Sequence, residues 1–197
     1  MNAPNRKPPP RMTVTDFLAW NGPGKWELVD GELRAMAPAS ATHGMIQANL
    51  AKVIGRHLDD RKGPCRVITE PAIAVRLRAS LNTRIPDLGI TCSPVGPTDV
   101  LLPEPVALIE ILSPGNPDDT WSNVWTYSTI PSVREIIVLH STRVLAEVLR
   151  RDSDGNWPMD PEDVGPDSEL RLETVGLALL LREAYVGTYL LSEASKA

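Results

Sequence analysis

The segment Pro105–Leu112, reading PVALIEIL, restricts the folding options of this chain more than any other. It is almost continuously apolar, the pattern of a strand covered on both faces, and such a strand belongs in the middle of a sheet with helices packed against it. One residue breaks the run. An ionised Glu110 in such surroundings costs several kcal/mol unless it is paired or coordinated, so the rest of the chain must supply a partner.

The flanking elements follow from pattern. A hydroxyl start, an acidic fourth residue and apolar spacing give a short helix over 13–20, ended by Asn21-Gly-Pro-Gly24. Residues 26–36 read as two short strands around Asp30-Gly31, a dipeptide that favours a tight hairpin. Met45, Ile46, Leu50, Val53, Ile54 and Leu58 recur at helical steps, predicting an amphipathic helix over 41–58. Residues 65–77, 83–92 and Pro105–Leu112 form the central strands, followed by a helix over 118–128 that Pro131 stops. Two further strands over 133–140 and 143–150 turn at Ser141-Thr142. Residues 152–167, rich in Asp, Pro and Gly, read as a surface loop, 169–173 as a short strand and 179–185 as a terminal helical turn.

The 197 residues, 42% apolar, suffice for one domain with its own core, expected over 12–190 between an N-terminal arm (1–11) and a tail (191–197). The arm carries four prolines and no apolar stretch, which excludes a signal peptide. The longest apolar runs fall far short of the roughly 20 residues of a membrane span. Cys65 and Cys92 lack CxxC spacing and read as reduced buried thiols, which with the other features points to the cytoplasm. A net charge of −5 argues against a broadly basic surface, although Arg56, Arg61, Lys62, Arg66, Arg76, Arg78 and Arg84 concentrate positive charge in the first half. Gly22-Pro-Gly24-Lys25 lacks the spacing of a phosphate loop and reads as a turn.

Arg84-Ile-Pro-Asp87 precedes Glu110 by twenty-two intervening residues, and both acids lie in β segments. Two facing strand carboxylates would hold a hard divalent cation, leaving water in its other positions. The bland alternative pairs Glu110 with Arg84 or Arg134 and leaves Asp87 bonded to turn amides. Trp121, Trp125 and Tyr127 either cover the sheet from a helix or stack bases. His57 and His140 have no motif context.

A Pro-Asp followed by a strand glutamate resembles the PD-(D/E)-x-K nuclease superfamily. The ordered segments WELVDGEL (26–33), THG (42–44), TEP (69–71), RIPD (84–87), EILSP (110–114) and IPSVRE (130–135) are similar to the Uma-two family of restriction endonucleases within it. The resemblance implies an α/β (α+β) restriction endonuclease-like fold, a mixed central β-sheet flanked by helices. It also implies Asp87 and Glu110 as ligands of Mg²⁺, or Mn²⁺, with Glu27 and His43 beside them and Glu70 as a weaker member. On the residues alone, His43 before Gly44 reads equally as a helix cap.

The superfamily lysine, two residues after the glutamate, is Leu112 here, and the family's alternative lysine on the following helix falls at Asn123. Asparagine carries hydrogen bonds but no positive charge, so a substitute cation is sought in Arg84 or Lys25. The expected function is Mg²⁺-dependent hydrolysis of DNA phosphodiesters, with Asn123 included in the site. The alternative is a nuclease fold that binds without turnover, and a homodimer paired through sheet edges or the 143–150 hairpin is a third reading.

Overall fold

A computed structural model describes residues 11–115 and 117–194. The N-terminal arm expected over 1–11 lies outside them except for Arg11, as do residues 195–197 of the expected tail, while residues 191–194 belong to a helix. In chain order the elements are α1 (Val14–Ala19), β1 (Trp26–Val29), β2 (Glu32–Ala35), α2 (Ala41–Asp60), β3 (Arg66–Thr69), β4 (Ile73–Ala74), β5 (Thr83–Arg84), β6 (Leu88–Thr91), β7 (Pro105–Leu112), α3 (Pro117–Tyr127), β8 (Glu135–His140), β9 (Ala146–Arg150), β10 (Glu162–Val164), β11 (Glu169–Leu172), β12 (Leu177–Leu180), α4 (Leu181–Ala184) and α5 (Tyr189–Ala194). No helix among the described residues is long and apolar enough to cross a membrane.

The main sheet has the order β10-β9-β8-β7-β6-β3, with β7 near its centre as the apolar run demands. It is mixed. The β7–β8 pair is parallel and the other pairs are antiparallel. Parallel neighbours cannot be joined by a tight turn, and α3 makes the crossover between them. A second sheet, β2-β1-β5-β4, contains the predicted hairpin, whose turn residues Asp30 and Gly31 both take positive φ (50° and 83°). That is the backbone a two-residue turn of this kind needs, and it fixes the register Val29–Glu32, Leu28–Leu33, Glu27–Arg34.

Side chains alternate across β7. Ala107, Ile109 and Ile111 pack with Ile46, Leu50, Ile54 and Leu58 of α2, joined by the β11–β12 hairpin and Tyr185. Leu108 faces the opposite way, toward Val124 and Tyr127 of α3, Ile73 and Val75. By the same alternation Glu110 lies on the α3 side, where the second sheet also packs.

Five sequence expectations are corrected. The segments 65–77 and 83–92, expected as central strands, each split in two, and β4 and β5 join the second sheet while only β3 and β6 lie in the main one. The loop expected over 152–167 contains β10, which pairs with β9 through Glu162–Val148, so the 143–150 strand has neighbours on both sides and offers no free edge. Leu179 and Leu180 of the expected terminal turn belong instead to β12, which pairs with β11, and helix begins only at Leu181. The β8–β9 connection runs over 141–145, longer than a Ser141-Thr142 turn. Cys65 and Cys92 form a disulfide, because the Arg66–Thr91 register of β3 on β6 makes them the next facing pair. The thiol argument for a reducing compartment therefore falls away.

Alkylation of the native protein before reduction is expected to leave both cysteines unmodified in a mass spectrum; two alkylated thiols would refute the pairing. Reduction should lower stability to unfolding by about 2–4 kcal/mol, read from denaturant midpoints.

Candidate active site

Strand register brings the two acids together. Leu88 pairs with Ile109 in the antiparallel β6–β7 ladder, so the preceding Asp87 stands opposite Glu110. The Asp87 carboxylate is fixed from two sides. Ile111 N–H donates to Oδ2 at 2.7 Å, and His43 Nε2 lies 2.7 Å from Oδ1. A carboxylate only accepts, so His43 Nε2 carries the proton, while its Nδ1 sits 3.2 Å from Ser113 Oγ. His43 is not the helix cap. That part is taken by Ser40, whose Oγ accepts from His43 N at 3.1 Å.

Glu110 is 7% exposed, and the Tyr127 hydroxyl donates to its Oε1 at 2.5 Å. Burial, then the charge of Asp87, hold its carboxyl well above the ordinary value of 4.5; Glu27 adds to the effect, and hydrogen bonds from Tyr127 and Asn123 oppose it. Tyr127 is pushed far up as well, by burial and then by Glu110, so it remains a donor. Among the described residues no arginine, lysine or histidine forms an ion pair with Glu110. The bland alternative fails at Arg84, whose Nη1 donates instead to Leu28 O at 2.6 Å and Asn82 Oδ1 at 3.0 Å, and Arg134 is exposed.

Glu27 is 3% exposed on β1, and its Oε1 accepts from Ile85 N–H at 2.9 Å, which anchors the segment leading into Asp87. Its Oε2 takes two bonds from the guanidinium of Arg34, its cross-strand partner on β2. Arg34 reaches further, donating from Nη2 to Asn123 Oδ1 and from Nη1 to Asp119 Oδ1, each at 2.8 Å. Burial works against the charge on Arg34, but Glu27 and Asp119 outweigh it and raise its affinity for the proton.

A cavity of about 950 Å³ is lined by all five expected site residues, Glu27, His43, Asp87, Glu110 and Asn123. Glu70 lies at its rim in an exposed ion pair with Lys25. None of the seven basic residues concentrated in the first half of the chain lines it, and Arg84, one of the two cations considered as a lysine substitute, is buried behind the hairpin. Sequence reasoning missed Arg34 and Asp119. Arg34 was within reach, because a two-residue Asp30-Gly31 turn sets residue 34 opposite residue 27; no local signal marked Asp119. His57 and His140 lie elsewhere, bonded to Val175 O and Glu147.

Facing acids beside the central strand of a mixed, helix-flanked sheet place the protein in the restriction endonuclease-like class of folds. The chain belongs to the Uma2 family, described as "Putative restriction endonuclease", whose model matches residues 14–182. It is 25% identical over 184 residues to an uncharacterized protein of Synechocystis sp., covering 91% of this chain and 94% of that one. A crystal structure of a "putative nuclease" from Anabaena variabilis has a similar fold, with a TM-score of 0.70 and 17% identity over 88% of this chain and 97% of that one.

The raised Glu110 carboxyl gives a pH prediction for the metal-free protein. Above about 4.5 the unfolded chain releases this proton while the native state retains it, so the stability it contributes is full below that pH and is lost as pH rises through the native value. In EDTA, wild type and Glu110→Gln should melt alike near pH 4, with the variant increasingly the more stable toward pH 8. A pH-independent difference would contradict the assignment.

Proposed function

We propose that this protein is a divalent-cation-dependent endonuclease hydrolysing phosphodiester bonds in DNA, with Asp87 and Glu110 holding Mg²⁺ or, in its place, Mn²⁺. The observation that carries the reading is the facing pair of carboxylates in a cavity, one of them buried without a cationic partner among the described residues. The donor set suits such an ion. Mg²⁺ takes oxygen ligands, keeps several waters and is commonly held by one or two carboxylates, so no cage of three side chains is required. Among the described residues no such cage of His, Cys, Asp or Glu is present. Once bound, the cation supplies polarisation of a phosphate oxygen and acidification of water.

The remaining residues hold this arrangement in place. His43 and Ile111 N–H fix the two Asp87 oxygens, so the carboxylate keeps its direction whether or not a cation is present. Tyr127 orients Glu110, and Glu27 secures Ile85 two residues before Asp87. Asn123 ties α3 to the hairpin through Arg34.

A second reading, nucleic-acid binding without turnover, draws on the uncharged side chains at Leu112 and Asn123. Incubation with supercoiled and linear DNA in Mg²⁺, Mn²⁺ or EDTA separates the two. Metal-dependent nicking or linearisation is expected, and Asp87→Ala or Glu110→Ala should lower it by a factor of at least about 10². Cleavage unchanged in Asp87→Ala would end the ligand assignment; metal-dependent cleavage by wild type would end the binding-only reading.

A further inference from the structure

We propose that Arg34 is the residue that supplies positive charge to this site and contacts the non-bridging oxygens of the nucleic-acid phosphate. The inference rests on the phosphodiesterase reading above and extends it to a residue outside the expected set. The carboxylates of Glu27, Asp87, Glu110 and Asp119 all line the cavity, so an incoming phosphate meets repulsion unless a cation of the chain faces it. Lys25 is 61% exposed and committed to Glu70 at the rim, where a solvated pair has little effect. His43 is held between Asp87 and Ser113. Arg84 is 4% exposed and spends its Nη1 on the hairpin backbone and Asn82.

Arg34 is placed differently. One edge of its fork, Nε and Nη2, is seated on buried Glu27, which fixes the plane of the guanidinium. The other edge, Nη1 and Nη2, meets Asp119 and Asn123, which line the cavity together with Arg34. Of five N–H donors, four are engaged by Glu27, Asn123 and Asp119, and Nη1 keeps one N–H without an acceptor among the described residues. The bond from Nη1 to Asp119 is the replaceable one, because the Asp119 side chain is 52% exposed and returns to water when it lets go. A phosphate that displaces Asp119 accepts a hydrogen bond from Nη1 of a guanidinium already oriented for it. Nη2 lies 2.8 Å from Asn123 Oδ1, so the charge reaches the place where a longer side chain at position 123 would put its own. The strand thus delivers the charge that the helix does not.

The test uses the full chain with Arg34→Gln, Arg34→Lys and the double variant Arg34→Gln/Asn123→Lys. DNA cleavage in Mg²⁺ should fall about 10²- to 10³-fold in Arg34→Gln. It should fall less in Arg34→Lys and recover at least tenfold in the double variant. An Arg34→Gln rate within threefold of wild type overturns the proposal, and so does failure of the double variant to recover, which would leave Arg34 a structural part only. Independently of turnover, inorganic phosphate titrated into the metal-free protein should shift the amide resonances of Asp119 and Thr120 saturably, and Arg34→Gln should abolish the shift. If wild type does not cleave, the nuclease reading fails and this titration alone decides. Arg34-dependent shifts then uphold the anion contact; shifts that persist in Arg34→Gln, or none in wild type, overturn it. Should stranded Glu27 unfold Arg34→Gln, Glu27→Gln/Arg34→Gln is compared with Glu27→Gln on the same readouts and criteria.

Discussion

The burial of Glu110 in the central strand is the constraint to which the rest of the site answers. Another buried glutamate of the same sheet shows what a purely structural solution looks like. Glu135, 2% exposed, accepts from Arg150 Nε, the amides of Glu173 and Thr174 and the Thr174 hydroxyl, so its charge is balanced and its lone pairs are used. That network ties the C-terminal hairpin to β8. Glu110 has the Tyr127 hydroxyl and the Asn123 amide but, among the described residues, no cation, and it faces a second acid. A sheet that can satisfy one buried carboxylate completely leaves the other short of charge in the place where a cavity opens.

Keeping Asp87 in that position requires a scaffold that resists carboxylate repulsion. Strand pairing provides most of it, since Leu88 is locked to Ile109 and to Thr69 on its other side. The carboxylate is then restrained by a backbone amide and by His43, which α2 presents from its first turn. The small sheet closes the remaining side: Glu27 holds the Ile85 amide, and Arg34 balances Glu27. The hairpin therefore does two jobs at once, bonding to α3 through Arg34 and fixing the approach to Asp87.

Much of this was legible in the sequence where a local pattern dictates local structure. The apolar run of β7, the helical steps of α2 and the Asp30-Gly31 turn each specify one element, and each formed with boundaries close to those expected. The convergence of Glu27, His43, Asp87, Glu110 and Asn123 was legible only through an ordered set of motifs, because the spacing between Asp87 and Glu110 includes residues 92–104, a connection whose length says nothing of register. The β6–β7 ladder also shifts register between Ile90 and Thr91, which no count along the chain could anticipate. The disulfide and β10 were missed for a related reason: each depends on the register of one strand against another, which the local pattern does not encode.

Arg34 illustrates how charge can be read from pairing rather than from motif. A glutamate and an arginine placed symmetrically about a two-residue turn become cross-strand neighbours, and one of them is then covered when the hairpin docks against a helix. The buried partner, Glu27, immobilises the half-buried one, and the guanidinium is held across the gap to α3, where Asn123 and Asp119 accept from it. A net charge of −5 is no obstacle to this arrangement. Potential at a phosphate a few ångströms away is set by the guanidinium and by whatever cation the two facing acids hold, whereas exposed surface charges beyond about 8–10 Å are largely screened at physiological salt. On the proposed reading the acidic cavity takes a divalent cation first, and the fixed arginine gives a phosphate a place to bind beside it.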